Sequence, residues 1–236
     1  MDFTHPLVPG KLVRRYKRFL ADVELAGGDV VTAHCANPGS MMGLNAAGLK
    51  VWLEPAHDPK RKLAYSWRLV EMDGAMAGID TGVPNKVVGE ALRSGKVPEL
   101  QAYSDVRPEQ RYAQASRVDF LLSGDGLPDA YVEVKNVHLM REPGLAEFPD
   151  SVTARGTRHL GDLADEVQKG HRAVMFYVIQ RDDCDRLDMA DDIDPAYANA
   201  FDKARHMGVE VLAYACKLDQ HRITLDHPIP VIRGSG

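Results

Sequence analysis

The clearest hydrophobic pattern in the chain is a pair of apolar runs on either side of a turn-rich loop. The loop, residues 123–129, contains two Gly, two Asp and one Pro. Apolar runs bounded by such residues are typical of strands joined by a turn. We therefore predict a strand, a loop and a returning strand over residues 116–136.

Polar residues inside this predicted hairpin share one face. Glu133 and Lys135 are two positions apart on a strand, so they point to the same side. If the loop is symmetric about Gly126, the numbers of paired residues sum to 252. Asp119 then lies opposite Glu133, and Arg117 lies opposite Lys135. A shift of one residue in this pairing would move the polar side chains of one strand to the other face of the sheet.

Two carboxylates that face each other on a sheet repel, and a divalent cation between them relieves the repulsion. We expect Asp119 and Glu133 to hold Mg²⁺ or Mn²⁺, which polarises a phosphate and lowers the pKa of a bound water. Lys135 would position or activate that water, or offset charge on the phosphate. The alternative is a solvated face on which Asp119 pairs with Arg117 or Lys135. The pattern favours metal-dependent phosphodiester cleavage, with Asp119, Glu133 and Lys135 as catalytic residues.

The N-terminal part of the chain has an all-β pattern. Gly27, Gly28 and Asp29 form a plausible hairpin turn. About five short strands in this length fit a small closed barrel such as the OB-fold. We assign this domain to residues 1–84. The strand candidates are 11–25, 29–34, 49–55, 62–72 and 75–80.

The pattern changes to alternating helices and strands after residue 84. Residues 85–96 are predicted to form a helix with Asn85 as its N-cap after Pro84. Glu90 lies at the margin of that helix's apolar stripe. Two interpretations stay open: Glu90 is a further metal ligand, or it faces water. The alternation predicts a mixed sheet with flanking helices, residues 85–236. Later predicted elements are a helix around 160–167, a strand at 173–179, a helix starting at 194–195 and a strand at 209–214.

Basic residues are concentrated in a few places. The net charge of −5 excludes a globally basic surface, so a polyanion site must be a local patch. Basic groups with neighbouring aromatics such as Tyr65 and Trp67 are typical of a groove that binds nucleic acid strands. The alternatives are a charged edge strand and an ordinary polar helix face. The candidate nucleic-acid-binding residues are Arg14, Arg15, Lys17 and Arg18, then Lys60, Arg61 and Lys62 after Pro59, and Arg155 and Arg158 near a predicted helix start.

The cysteines and the apolar runs bear on the cellular environment. Cys35, Cys184 and Cys216 are far apart and form no C-x-x-C pair. Such a sparse set argues for a reducing compartment and against a zinc site. No apolar run approaches the length of a membrane span. We expect a cytoplasmic protein without membrane partners, and the oligomeric state stays open, a homodimer included.

These segments together resemble the sugar fermentation stimulation protein A (SfsA) family of bacteria and archaea. The resemblance covers most of the chain and rests on several long blocks in the same order. The blocks include Arg15-Tyr-Lys-Arg-Phe-Leu-Ala-Asp22, Ala33-His-Cys-Ala-Asn-Pro-Gly-Ser-Met41, Ser116-Arg-Val-Asp-Phe-Leu121, Val132-Glu-Val-Lys-Asn136, Phe148-Pro-Asp-Ser-Val152 and Ile193-Asp-Pro-Ala-Tyr197.

The resemblance implies an N-terminal OB-like domain and a C-terminal domain similar to PD-(D/E)XK nucleases. It also implies DNA binding without strong sequence specificity and a link to sugar (maltose) utilisation. The nuclease-like pattern maps onto Asp119, Glu133 and Lys135, with Glu90 as an upstream helical carboxylate. The departures, Ala36-Asn-Pro38 for Pro-Asn-Thr, Ala154 for Glu and His138 for Thr, remove no metal ligand.

Three functional hypotheses follow from the sequence. The favoured one is a Mg²⁺- or Mn²⁺-dependent nuclease acting on DNA or RNA. The second is a non-enzymatic DNA-binding regulator of sugar metabolism with a vestigial metal site, although no recognition helix is evident in the sequence. The third is a sugar-binding protein that uses the barrel.

Overall fold

The computed structural model describes residues 1–58, 60–112 and 117–233, so Pro59 and Ser116 lie outside the described residues. Within residues 1–58 and 60–78, five strands close into a barrel. Their order is β3-β2-β1-β4-β5, and a parallel pairing of β3 with β5 completes the circle. The strands are β1 (Val8–Tyr16), β2 (Leu20–Leu25), β3 (Val30–Cys35), β4 (Lys50–Pro55) and β5 (Tyr65–Met72), and β6 (Ala75–Gly78) extends the sheet beside β5.

Period-2 alternation places the barrel's apolar side chains inside. Leu12, Val23, Leu53 and Trp67 are fully buried there. The expected turn at residues 27–29 is confirmed, with a positive φ at Gly28. The predicted OB-like barrel is therefore correct.

The predicted strand 11–25 is wrong in one respect, because it is two strands joined by a tight turn. Lys17 and Arg18 adopt positive φ angles of 49° and 62°. Neither is Gly, Asn or Asp, the residues that usually occupy such positions. The turn consequently carried no sequence signal, and the apolar alternation on both sides looked continuous.

The C-terminal part is a mixed sheet with helices on both faces. Among the described residues, its six strands run in the order β15-β14-β12-β9-β8-β7, and β9, β12 and β14 are parallel. A smaller sheet, β10-β11-β13, lies beside it. The elements are α1 (Val83–Arg93), β7 (Asp105–Arg111), β8 (Arg117–Ser123), β9 (Ala130–Val137), β10 (Leu139–Glu142), β11 (Gly144–Phe148), α2 (Ala154–Gln168), β12 (Arg172–Ile179), β13 (Cys184–Met189), α3 (Pro195–His206), β14 (Glu210–Leu218) and β15 (Ile223–Pro228).

Two apolar cores sandwich this sheet. Helix α1 packs on one face, where Val88 meets the cluster of Phe120 and Phe176. Helices α2 and α3 cover the other face, where Leu160 and Phe201 share a cluster with the alternate β12 residues. Strand β12 is buried on both sides, which explains its continuous apolar sequence.

Helix α1 begins earlier than the sequence predicts. It starts at Val83 with Gly82 as the N-cap, and Pro84 lies in the first turn, where a missing N–H costs nothing. Asn85 is therefore not the N-cap, and its side chain bonds to a strand instead. The predicted start of α3 is confirmed, because the Asp194 carboxylate accepts a hydrogen bond from the Tyr197 N–H at 3.0 Å.

Strand β7 has no counterpart in the hydrophobic pattern. Its sequence is polar, it contains Pro108, and Glu109 adopts a positive φ of 53°. Proline and local irregularities are tolerated at a sheet edge, where one side of the strand needs no partner. An edge position without a buried face explains why pattern analysis misses this strand.

The barrel packs directly against the C-terminal part. The Gly78 N–H donates to the Gln180 carbonyl at 2.8 Å, and the Ser40 hydroxyl donates to the Asp150 carbonyl at 3.0 Å. The boundary predicted at residue 84 falls in the first turn of α1 and stays a prediction. In the described part of the chain, no helix is long and apolar enough to cross a membrane.

Candidate active site

The β8–β9 hairpin pairs in the register that the loop symmetry predicts. Phe120 lies opposite Val132, and Leu122 lies opposite Ala130, so the paired numbers sum to 252. Continuing this register places Asp119 across from Glu133. The predicted register is confirmed for residues 120–122 with 130–132, and the pairing of Arg117 with Lys135 stays a prediction.

Asp119 is held in place by neutral donors. Its Oδ1 accepts from the Asn85 side-chain amide at 2.7 Å, and its Oδ2 accepts from the Val134 N–H at 2.7 Å. Burial and the negative charge of Glu133 raise the pKa of Asp119 to about 6, although these hydrogen bonds act in the opposite direction. Neither donor is Arg117 or Lys135, so the structure does not show the surface ion pair that was the alternative interpretation.

Glu133 is a buried carboxylate with one oxygen unsatisfied. Its Oε1 is bonded by the Lys135 ammonium at 2.7 Å and by His159 Nδ1. Burial alone would raise the pKa of Glu133, but His159 and Lys135 bring it below its usual value. Its Oε2 is buried without a hydrogen-bond partner among the described residues. A charged oxygen left unpaired in the interior is costly, so Oε2 calls for a hydrogen-bond donor or a cation as its partner.

Lys135 lies directly beside the Glu133 carboxylate. Its side chain is only 14% exposed, and its Nζ is 3.4 Å from His159 Nδ1. The ammonium is thus confined between Glu133 and the first turns of α2. The hairpin brings Asp119, Glu133 and Lys135 together, as the sequence predicts.

Two residues of the site were not predicted to lie beside the carboxylates. Asn85 reaches Asp119 from α1, and a lone Asn after Pro carries no signal for such a contact. His159 is 2% exposed on α2 and bonds to Glu133. Its four-residue spacing from Arg155 is the signal that could have linked it to the site, because such pairs meet on a helix surface.

The structure does not bring Glu90 to the site. Its carboxylate accepts from the amino group of Met1 at 2.6 Å, and its side chain is 58% exposed. Glu90 follows Asn85 by five residues, a rotation of about 140° around the helix axis. Because Asn85 points at Asp119, Glu90 must point elsewhere, and its predicted role as a metal ligand gains no support.

The carboxylate pair fits a hard divalent cation. In the described parts of the chain, no group of three or more His, Cys, Asp and Glu side chains could hold a metal ion. Mg²⁺ is commonly bound by only one or two carboxylates, with water or substrate filling its other positions. Asp119 and the unsatisfied Oε2 of Glu133 supply that minimal oxygen set.

The first basic cluster divides into exposed and structural residues. Lys17 and Arg18 are exposed at the β1–β2 turn, and the exposed Arg14 pairs with Asp22 at 2.8 Å. Arg15 instead donates to the carbonyls of Asn37 at 2.8 Å and Gly39 at 3.0 Å. Arg15 therefore holds the loop after β3, a task that sequence analysis did not foresee.

The second basic cluster lies in the loop between β4 and β5, at the other end of the barrel. Leu20 pairs with His34 on an antiparallel strand, so the β1–β2 turn lies beyond the C-terminal end of β3. Tyr65 pairs with Ala33 on a parallel strand, so the loop before β5 lies toward the N-terminal end of β3. Trp67 is fully buried and unavailable for stacking, whereas Phe19 at the turn is 46% exposed. The exposed basic residues of the second cluster are Lys60, Arg61 and Lys62.

Arg155 and Arg158 are exposed on the first turns of α2. The Arg155 Nε donates to His159 Nε2 at 3.2 Å, so this guanidinium reaches the site through the buried imidazole. The loop that Arg15 supports contacts Asp150, just before α2, through Ser40. The end of the barrel that carries the β1–β2 turn is therefore adjacent to the start of α2.

Comparison with known proteins identifies relatives over nearly the whole chain. A family model described as the SfsA N-terminal OB domain matches residues 13–79, and one described as the sugar fermentation stimulation protein RE domain matches residues 82–222. The sugar fermentation stimulation protein homolog of Dinoroseobacter shibae is 59% identical, over 98% of this chain and 96% of the relative. The homolog of Ruegeria pomeroyi is 62% identical, over 90% of this chain and 93% of the relative.

A solved structure has the same fold. It is that of Pyrococcus furiosus SfsA in complex with Ca²⁺, which is 26% identical in sequence and superposes with a TM-score of 0.87. The match covers 98% of this chain and 97% of that protein. The arrangement of barrel and mixed sheet is thus shared across both chains.

Proposed function

This chain belongs to the sugar fermentation stimulation protein (SfsA) family, and we propose that it is a divalent-metal-dependent nuclease that binds nucleic acid without strong sequence specificity. The observation that carries the proposal is the unsatisfied Oε2 of Glu133, which lies across the hairpin from Asp119 and beside Lys135. The Pyrococcus furiosus relative was solved in complex with Ca²⁺, which supports a divalent cation here, Mg²⁺ or Mn²⁺.

Each residue of the site has a role in phosphodiester hydrolysis. Asp119 and Glu133 would hold the cation, which supplies a polarised phosphate and a water of lowered pKa when bound. Asn85 and the Val134 N–H keep the Asp119 carboxylate oriented. Lys135 donates to Glu133 with one of its three protons and keeps others for the attacking water or a phosphate oxygen.

The charge distribution supports a nucleic-acid path that ends at this site. Exposed Lys17 and Arg18 lie at one end of the barrel, and a loop from that end reaches Asp150 before α2. A sugar–phosphate backbone following these charges would next meet Arg155 and Arg158. Such side chains contact the sugar–phosphate backbone and not the bases, which favours binding without strong sequence preference.

A cleavage assay tests the proposal directly. Labelled single- and double-stranded DNA and RNA would be incubated with Mg²⁺, with Mn²⁺ or with EDTA. We expect cleavage with metal and none with EDTA. The variant Lys135→Ala should abolish cleavage and leave binding nearly intact, since one lysine is a small part of the phosphate-contacting surface.

A matched control is Lys169→Ala, which removes a lysine that pairs with Glu166 at the far end of α2. It should cut at the wild-type rate. If the wild-type protein binds nucleic acid and Mn²⁺ but cuts none of the four polymers, the nuclease proposal is wrong and the DNA-binding regulator replaces it.

A further inference from the structure

His159 connects the metal-site glutamate to the surface of α2. Its ring is 2% exposed, with Nδ1 against Glu133 Oε1 and Nε2 at 3.2 Å from the Arg155 Nε. Arg155 itself is exposed on the first turn of the helix. Three side chains thus form a continuous line from solvent to the buried carboxylate.

The hydrogen-bond directions along this line follow from the chemistry of the groups. An arginine Nε can only donate, so His159 Nε2 must accept. A neutral imidazole carries one proton, which then lies on Nδ1 and is donated to Glu133 Oε1. Buried histidines that donate to a carboxylate fix the orientation of both groups.

We propose that His159 is a positioning residue that holds Glu133 with Oε2 toward the cation, and that Arg155 links a bound phosphodiester to that arrangement. The inference rests on the proposed function. Lys135 and His159 engage Oε1, so Oε2 is the oxygen left for the metal. Lys135 alone would hold the carboxylate poorly, because its ammonium sits on a flexible four-carbon stem.

Arg155 is suited to sense a phosphate. The guanidinium presents planar donors that match phosphate oxygens, and the start of a helix favours negative charge. A phosphodiester bound there would restrain Arg155, and through it the imidazole and Glu133. Substrate binding and metal-ligand orientation would therefore reinforce each other.

Two substitutions of His159 test the contacts of its two ring nitrogens separately. His159→Asn places an amide N–H near the Nδ1 position, so it retains the donor to Glu133 and loses Arg155. His159→Gln places its amide near Nε2, so it retains Arg155 and loses the donor to Glu133. Isothermal titration with Mn²⁺ alone measures metal affinity without depending on turnover.

We expect His159→Gln to weaken Mn²⁺ binding by about 10- to 100-fold, the usual cost of losing such a partner. His159→Asn should bind Mn²⁺ nearly as the wild type does. The exposed variant Arg155→Ala should keep its metal affinity in the absence of nucleic acid and raise KM more than it lowers kcat. His206→Gln, an exposed change on α3, is the control and should match the wild type.

The outcomes separate this inference from the proposed function. If the wild type binds Mn²⁺ and cuts, but His159→Gln and Arg155→Ala equal it in affinity and KM, the positioning role is wrong and the nuclease stands. If the wild type binds no Mn²⁺, both are wrong. Should a His159 variant fail to fold by circular dichroism, the KM of the surface variant Arg155→Ala decides alone.

Discussion

Asp119 shows at the scale of one residue how the fold keeps a carboxylate ready for a cation. The side chain accepts from Asn85 and from the Val134 backbone, and Glu133 lies across the hairpin. Neutral donors orient the group without cancelling its charge. The protein without metal therefore carries electrostatic repulsion that a cation would remove.

We predict that Asp119→Asn leaves the metal-free protein equally or more stable at pH 8. The raised pKa of Asp119, about 6, means that the wild type loses stability as the pH rises from about 4 to 6. Each pKa unit corresponds to about 1.4 kcal/mol, and the advantage of the variant should vanish near pH 4. The substituted amide can keep both contacts if the Asn85 amide flips. Urea unfolding at both pH values measures the difference.

The same variant should lose most of the thermal shift that Mn²⁺ produces. Metal bound only by the folded state stabilises it by about 2.7 kcal/mol at a hundredfold excess over Kd. Melting curves of both proteins with and without Mn²⁺ test this expectation. A less stable variant, together with no Mn²⁺ shift in either protein, would indicate a structural carboxylate and no metal site.

Phe19 is the exposed aromatic among the basic residues of the β1–β2 turn. We predict that Phe19→Ala weakens single-stranded DNA binding by about 1–3 kcal/mol, the usual contribution of one stacked base. The control is Val30→Ala, which truncates another exposed apolar residue at the other end of the barrel. Fluorescence anisotropy measures both, and equal affinities for the two variants would remove Phe19 from the binding surface.

At the scale of elements, the β1–β2 hairpin combines two tasks. Its tip presents Lys17 and Arg18 to solvent, while Arg15 supports the loop after β3. Neutralising all four candidate basic residues of this hairpin would therefore lower both the affinity for nucleic acid and the stability of the protein, and the two effects could not be told apart. Arg14, Lys17 and Arg18 are the residues whose neutralisation isolates binding.

We predict that neutralising Arg14, Lys17 and Arg18 flattens the dependence of log affinity on log salt. The slope on duplex DNA should fall by about 0.9 for each phosphate that the variant no longer neutralises. Titrations between low and moderate salt measure it, with Arg15→Gln tested separately for a lower melting temperature. An unchanged slope in the triple variant would place the nucleic acid on the C-terminal domain.

At the scale of the whole molecule, the barrel and the mixed sheet meet around Asp150. The Ser40 hydroxyl donates to its carbonyl, and His138 Nε2 lies 3.4 Å from its carboxylate. A Cβ on Gly39 would lie 2.6 Å from that carboxylate, so any larger residue there would displace the Asp150 side chain. This junction fixes the segment leading into α2, and hence the position of Arg155 and His159.

We predict that Asp150 stabilises the protein above pH 4 and that this contribution disappears as the pH falls to 2. Burial raises its pKa, but His138, the Met41 N–H and Ser151 outweigh burial and lower it to about 2. From an unfolded value near 3.9, the difference corresponds to at most about 2.6 kcal/mol. The wild type should exceed Asp150→Asn by that amount at pH 6 and by nothing near pH 2. A difference that stays constant with pH would contradict this account.

The sequence by itself determined the barrel, the mixed sheet and the three residues of the hairpin site. These features follow from local rules: side chains alternate along a strand, and the symmetric loop sets which residues face each other. Asp119, Glu133 and Lys135 could therefore be assigned to one face before the fold was known. The sequence did not predict the tight β1–β2 turn, because the turn contains no glycine. It did not predict the edge strand β7, because that strand has no hydrophobic alternation.

Only the tertiary structure decided which distant residues complete the site. It placed Asn85, and not Glu90, beside Asp119, and it placed His159 against Glu133. It also showed that Arg15 stabilises the loop after β3 by donating to the Asn37 carbonyl. The physical reason is that such contacts depend on the rotation of a helix about its axis and on how elements far apart in the chain pack, and neither quantity is encoded in the local periodicity of the sequence.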